Sequence, residues 1–241
     1  MSNDNRIIVA LDVDNADRAL ALADTLRGVV GAVKVGSQLF TAAGPRIVSQ
    51  LIDRGHRVFL DLKYHDIPNT VAGAAAEAAR LGVWLFDVHA GGGAAMMRAA
   101  RESAHEAAAR AGHAAPLVIG ITVLTSFDQA TLGSIGVTRP VVDQVDALAR
   151  LAKDAGLDGV VASPQEIGQV RRACGSDFVL VTPGIRPAAA DGAKPKDDQA
   201  RTMSAGDAVR GGASYIVVGR PIVAAPDPRA AAEALDAEIR G

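Results

Sequence analysis

The chain has 241 residues, 49% of them hydrophobic and 22% charged, a length close to the roughly 250 of one (β/α)8 barrel and a composition able to bury a full core rather than remain disordered. Lys and Arg number 25 against 27 Asp and Glu, a formal net charge of -2, so there is no global basic field to hold nucleic acid or an anionic membrane. Any phosphate must be recognised locally.

The chain opens on the polar stretch Met1 to Arg6, and no later apolar run approaches the ~18 residues that span a bilayer, so a soluble, cytoplasmic protein is expected. From there, short β-branched runs alternate with longer Ala/Leu-rich segments of helical period. Strand Ile7–Val13 precedes helix Ala16–Leu26, and Ala32–Val35 precedes Pro45–Arg54. Strand Val58–Lys63 precedes helix Thr70–Arg80, and Trp84–His89 precedes Ala94–Ala111 across Gly91-Gly92-Gly93, which reads as a turn needing small residues. Leu117–Val123 precedes Val141–Asp154, and Gly159–Ala162 precedes Pro164–Ala173, beside which the single Cys174 reads as packing. One cysteine excludes an internal disulfide and any multi-thiolate metal centre. Phe178–Thr182 and Ala205–Arg210 are separated by an aperiodic stretch, residues 184 to 204, long enough to be a functional lid. Tyr215–Val218 and the closing helix Pro228–Ile239 complete eight strand-helix units.

Eight such units fit a single-domain α/β (β/α)8 barrel, although an open doubly wound sheet has the same alternation. Polar residues favour the barrel. Asp12, Lys34, Asp61 with Lys63, Asp87 with His89, and Thr182 all stand at the C-terminal ends of strands, the end at which barrels of this kind place their chemistry. In Val58–Lys63 the period of two puts Phe59, Asp61 and Lys63 on one face and Val58, Leu60 and Leu62 on the other. Asp66 follows in the loop and Lys34 ends the preceding strand, so two ammonium groups and two carboxylates can meet at one rim. By itself, Asp-x-Lys reads as a buried ion-pair network rather than as catalytic machinery. Asp87 and His89 share a strand face, but no third or fourth metal ligand stands at a diagnostic spacing.

The run Asp61-Leu62-Lys63-Tyr64-His65-Asp66-Ile67-Pro68-Asn69-Thr70-Val71 resembles the signature of the orotidine 5'-phosphate decarboxylases. Companion segments stand in that family's order: Ala10-Leu11-Asp12, Val33-Lys34-Val35-Gly36, Leu124-Thr125-Ser126, Thr182-Pro183-Gly184-Ile185-Arg186, Asp198-Gln199-Ala200-Arg201 and Val218-Gly219-Arg220-Pro221-Ile222. Tyr64 replaces a Phe or Leu often found there, and its side chain is expected to face away from the reacting centre.

The resemblance implies decarboxylation of orotidine 5'-phosphate to UMP, with no cofactor and no metal. It implies an alternating array of Lys34, Asp61, Lys63 and Asp66, in which Lys63 stabilises the carbanion formed at C6 and then protonates it. Asp61 would lie against the departing carboxylate, and the flanking carboxylates would keep Lys63 protonated. Asp12 and Lys34 would hold ribose hydroxyls, and Thr125 and Ser126 the pyrimidine edge. Gly219, Arg220, Arg186 and Gln199 would take the phosphate, the last two by folding the long loop over it. It also implies a homodimer with shared active sites, Asp66, Ile67 and Thr70 of one chain meeting Lys63 of the other. Two rivals share parts of this pattern. A sugar-phosphate enzyme of the same superfamily uses Mg2+ and an enediolate, and a non-catalytic phosphate-binding barrel would not need the intact charged array.

Overall fold

The computed structural model describes residues 5–185 and 203–241. Eight strands run parallel and close on themselves in chain order: β1 Ile7–Ala10, β2 Ala32–Gly36, β3 Val58–Tyr64, β4 Leu85–His89, β5 Leu117–Ile121, β6 Gly159–Val161, β7 Val179–Thr182 and β8 Tyr215–Val218, with β8 returning to pair with β1. The helices are α1 Ala16–Thr25, α2 Ser37–Ala43, α3 Arg46–Asp53, α4 Pro68–Arg80, α5 Gly93–Ala111, α6 Gln129–Ser134, α7 Val141–Asp154, α8 Ile167–Cys174, α9 Ala205–Arg210, α10 Arg220–Val223 and α11 Pro228–Arg240. The single-domain (β/α)8 barrel expected from the alternation is the fold observed.

Strands buried on both faces explain why the β segments read as continuous apolar runs. Ile8, Ala32, Phe59, Leu85, Ile119 and Val181 form one cluster filling the barrel, while their neighbours Ile7, Val9, Val33, Val58, Leu60, Phe86, Val118 and Leu180 pack outward under the helices. Trp84 meets Tyr215 edge to face at 5.1 Å between centroids, with the Arg57 guanidinium 4.6 Å from the Trp84 ring centroid. These residues stand at the strand starts and close the floor. Cys174 is buried at the end of α8, as a packing residue should be.

Boundaries differ from the sequence expectation where the chain turns towards the site. β1 ends at Ala10, because Val13 N–H turns back onto the Leu11 carbonyl at 2.9 Å; Asp12 therefore sits on a turn beyond the ladder. β5 likewise ends at Ile121 rather than Val123. α4 starts two residues early, at Pro68, whose missing N–H costs nothing in a first helical turn. The short helices α2 and α6 were not expected: each has seven residues or fewer, too few for a periodicity to register. Ala90, Gly91 and Gly92 form a single 3-10 turn leading into α5, and a Cβ at Gly92 would fall 2.2 Å from the Met96 sulfur, so a larger residue there would displace the buried end of that side chain. Among the described residues no helix is long and apolar enough to cross a membrane.

Candidate active site

The chemistry-bearing residues are set by an irregularity in β3. From Leu60 to Tyr64 strand β3 advances four residues, while its partner β4 advances two, from Phe86 to Val88. Bulges of this kind re-aim side chains beside active sites. Lys63 lies inside the skipped stretch with φ 52°, the only non-glycine residue with positive φ among those described. A left-handed conformation at a residue with a Cβ costs about 1–3 kcal/mol and persists only where the surroundings impose it. What holds it is a side chain standing in for the missing ladder partner: Lys63 N–H donates to Asp87 Oδ1 at 2.8 Å. Tyr64 returns to the outer face, where its ring meets Phe86 edge to face at 6.2 Å. Burial, followed by the nearby Asp87 carboxyl, pushes its phenol up to about 12.

Across the rim runs a chain of alternating charge. Lys34 Nζ stands 3.3 Å from Asp12 Oδ1 and 2.9 Å from Asp61 Oδ2, and the Lys63 ammonium pairs with Asp61 Oδ1. Asp61 and Lys34 are both buried. Burial alone would raise the Asp61 carboxyl, but Lys34, a hydrogen bond from Asp87 and Lys63 together hold it well below the usual carboxylate range. Burial likewise opposes the charge of Lys34, and Asp61 and Asp12 outweigh it, so its ammonium is held more firmly than usual. Gly36 keeps room for that ammonium, since a Cβ there would come within 3.1 Å of Lys34 Nζ.

Asp87 behaves in the opposite sense. It is fully buried, and burial followed by the adjacent Asp61 charge pushes its carboxyl well above the ordinary carboxylate range. A group whose pKa rises on folding contributes stability that is complete below its unfolded value, near 3.8, and is lost as pH rises towards its folded value. Asp87→Asn, neutral at every pH, escapes that loss. Its stability relative to the wild type should therefore grow from pH 4 upward, by at most about 1.4 kcal/mol per pH unit, and its melting temperature with it. Thermal melts of both proteins between pH 4 and 8 check this; a margin independent of pH would show Asp87 to be ionised in the folded protein.

These groups line one cavity of about 400 Å³ at the C-terminal end of the barrel. Its charged wall, Asp12, Lys34, Asp61, Lys63 and Asp87, comes from β1 to β4, and its other wall from β5 to β8 and the loops after them, with Thr125, Pro183, Gly184, Gly219 and Arg220. A Cβ at Gly219 would meet only Ala10 at 3.6 Å and Asp12 at 3.8 Å, ordinary contacts. Packing therefore does not demand glycine at that position, and what it leaves open is cavity.

Seven of the residues singled out from sequence thus meet: Asp12, Lys34, Asp61, Lys63, Thr125, Gly219 and Arg220. Four others lie outside the cavity wall within one chain. Ser126 is exposed beyond Thr125; Asp66, Ile67 and Thr70 are exposed at the start of α4. The alternating array is therefore not closed by Asp66 of the same chain. Its carboxylate instead accepts Ile67 N–H at 2.6 Å, and Asp12 occupies the far end of the charge chain. Arg186 and Gln199 fall outside the described residues. Asp87 and His89 do not converge on a common point: Asp87 binds the Lys63 N–H, and His89 lies against the His65 ring at 5.2 Å. The part taken by Asp87 was missed from sequence, although a carboxylate inside the apolar run of β4 was the signal for it.

A family profile described as orotidine 5'-phosphate decarboxylase / HUMPS matches residues 5–235. The chain belongs to that family. Within the orotidine 5'-phosphate decarboxylase / HUMPS family, it is 54% identical to the orotidine 5'-phosphate decarboxylase of Moorella thermoacetica over 98% of this chain and 92% of the relative. It is 53% identical to that of Alkalilimnicola ehrlichii over 98% and 96%. Among solved structures, the orotidine 5'-phosphate decarboxylase of Lactobacillus acidophilus superposes with a TM-score of 0.85 at 39% identity, covering 98% of this chain and 100% of that one.

Proposed function

We propose that the chain decarboxylates orotidine 5'-phosphate to UMP. The observation that carries the reading is the continuous Asp12, Lys34, Asp61, Lys63 charge chain along one wall of a cavity of nucleotide scale. Loss of CO2 from C6 leaves an electron pair in an sp2 orbital that the pyrimidine ring delocalises poorly. A fixed ammonium beside that carbon stabilises it without solvent rearrangement. Lys63 supplies the ammonium and then its proton, C6–H forming as the N–H bond breaks. Asp61, ionised and held between two ammonium groups, stands where the substrate carboxylate arrives, so like charges meet in the ground state and separate as CO2 departs. Lys34 and Asp12 hold ribose hydroxyls, Thr125 with Ser126 reads the pyrimidine edge, and Gly219 with Arg220, joined by Arg186 and Gln199, holds the phosphate.

Because Lys63 provides the stabilising charge, neither metal nor organic cofactor is required. The loss of orotidine 5'-phosphate absorbance should proceed undiminished in EDTA. Turnover lost in EDTA and restored by Mg2+ would instead favour the sugar-phosphate chemistry of the wider superfamily.

The exposed loop residues complete the reading through a homodimer. Ile67 is 67% exposed, the most exposed large apolar residue among those described, and Pro68 stiffens the loop behind it. A two-fold axis would bury Ile67 and carry Asp66 and Thr70 to the partner's Lys63, and a reciprocal patch does this twice. Mixing Lys63→Ala and Asp66→Ala chains then gives heterodimers with one doubly defective and one intact site. With random re-pairing about a quarter of wild-type activity should return, while each parent stays nearly inactive. No gain in a sample whose mixed dimers are verified by native mass spectrometry would place Asp66 in its own chain's site.

A further inference from the structure

None of the steps proposed above uses Asp87, the most deeply buried acid of the cavity wall. It is 0% exposed and points inward from β4 between the outward-facing Phe86 and Val88. One oxygen accepts the N–H of the left-handed Lys63, at the point where the strand ladder skips. No N–H or hydroxyl among the described residues reaches the other oxygen, Oδ2. Asp61 lines the same cavity, and after burial its charge is what most favours the protonated form of Asp87. In a purely structural position an apolar residue would avoid burying that group.

We infer that Asp87 is a positioning residue for the decarboxylation: its C=O oxygen fixes the Lys63 backbone in the turn that aims the ammonium into the cavity, and its O–H donates to Asp61. Both ends of the Lys63–Asp61 pair are then tied to one rigid strand. Burial and the Asp61 charge keep the Asp87 proton in place, so the group acts as acceptor and donor together and adds no third negative charge to the wall. Freed of this tie, Lys63 would leave its left-handed conformation and its ammonium would move relative to C6. A misplacement on the order of 1 Å is enough to cost about 100-fold in rate.

The inference rests on the decarboxylase reading, and two substitutions test it. Asn offers the same acceptor to Lys63 N–H and the same donor to Asp61, whereas Val fills similar space and offers neither. Asp87→Val should lower kcat by about 100-fold while the Ki of UMP stays within about threefold, because the phosphate and ribose contacts lie elsewhere. Asp87→Asn should rescue most of that loss. If Asp87→Val does not fold, Asp87→Ser takes its place, its hydroxyl being too short to reach the Lys63 N–H, and the same split between kcat and Ki is expected. Three results would overturn the inference: Asn as impaired as Val, which would make the carboxylate charge the requirement; Val or Ser with wild-type kcat; or a fall in kcat matched by an equal loss of UMP affinity. In each of these the wild-type enzyme still decarboxylates, so only the role of Asp87 fails. A wild-type enzyme inert towards orotidine 5'-phosphate removes both readings together.

Discussion

Lys63→Ala should lose decarboxylation by a factor on the order of 10^5 while UMP binds within a few-fold of wild type. Removing the ammonium takes away both the electrostatic stabilisation of the carbanion, about 10^2 to 10^3 for one preorganised donor, and the general acid, about 10^2 to 10^4. Neither acts on the bound product, so kcat falls and affinity does not. The backbone supplies a control. Ala at φ 52° retains the left-handed strain that Lys63 bears, whereas glycine occupies that region freely. Lys63→Gly should therefore be as inactive as Lys63→Ala yet more stable, by about 1 kcal/mol before any entropic cost of its freer unfolded chain. Single-turnover assays, UMP titrations and melts of the two variants separate side chain from backbone. Substantial kcat in either one would refute the assignment of Lys63.

Orotidine lacking its phosphate should fall in kcat/KM by at least about four powers of ten, because contacts remote from C6 would be used to close and order the reacting end. Gly219 and Arg220 line the same cavity as Asp61 and Lys63, on the turn after β8. Free phosphite supplied with the nucleoside should restore part of the rate. Arg220→Ala should then weaken turnover of the nucleotide and leave that of the nucleoside unchanged, since the truncated substrate has nothing for the guanidinium to hold. Equal turnover of nucleoside and nucleotide would sink the phosphate-driven reading, as would an Arg220→Ala defect of the same size on both.

The barrel was legible because its strands are buried on both faces and separated by amphipathic helices, a pattern that survives errors of two or three residues at each end. The face assignment in β3 was legible for a similar reason: a period of two put Asp61 and Lys63 on one side with Phe59, and they line the cavity together. The left-handed turn at Lys63 was hidden, because no local signal marks a lysine with positive φ. The conformation is imposed from β4 by Asp87, 24 residues later in the chain. Asp66 was read by resemblance into the partner's site. Reading it into the array required knowing which chain it serves, and sequence spacing is silent on that, while within one chain it turns back to cap its own loop. The end of β1 was misjudged because apolar residues resume at Val13 after Asp12, whereas the ladder stops where Val13 N–H bonds within the turn.

The division of the cavity between its two walls sets what can be altered independently. Charge is concentrated at the ends of three neighbouring strands, β1 to β3, and stiffened there by ion pairs and by the bond between β3 and β4. The side from β5 to β8, with its loops, brings one ionisable group, Arg220, to the cavity wall among the described residues. Substitutions in those loops can therefore reshape the accepted ring or its anionic handle without disturbing the charged wall. A library confined to the segments after β5, β7 and β8 would search for new nucleotide specificities over unchanged reactive groups, whereas one directed at β3 and β4 would be selecting for a different reaction.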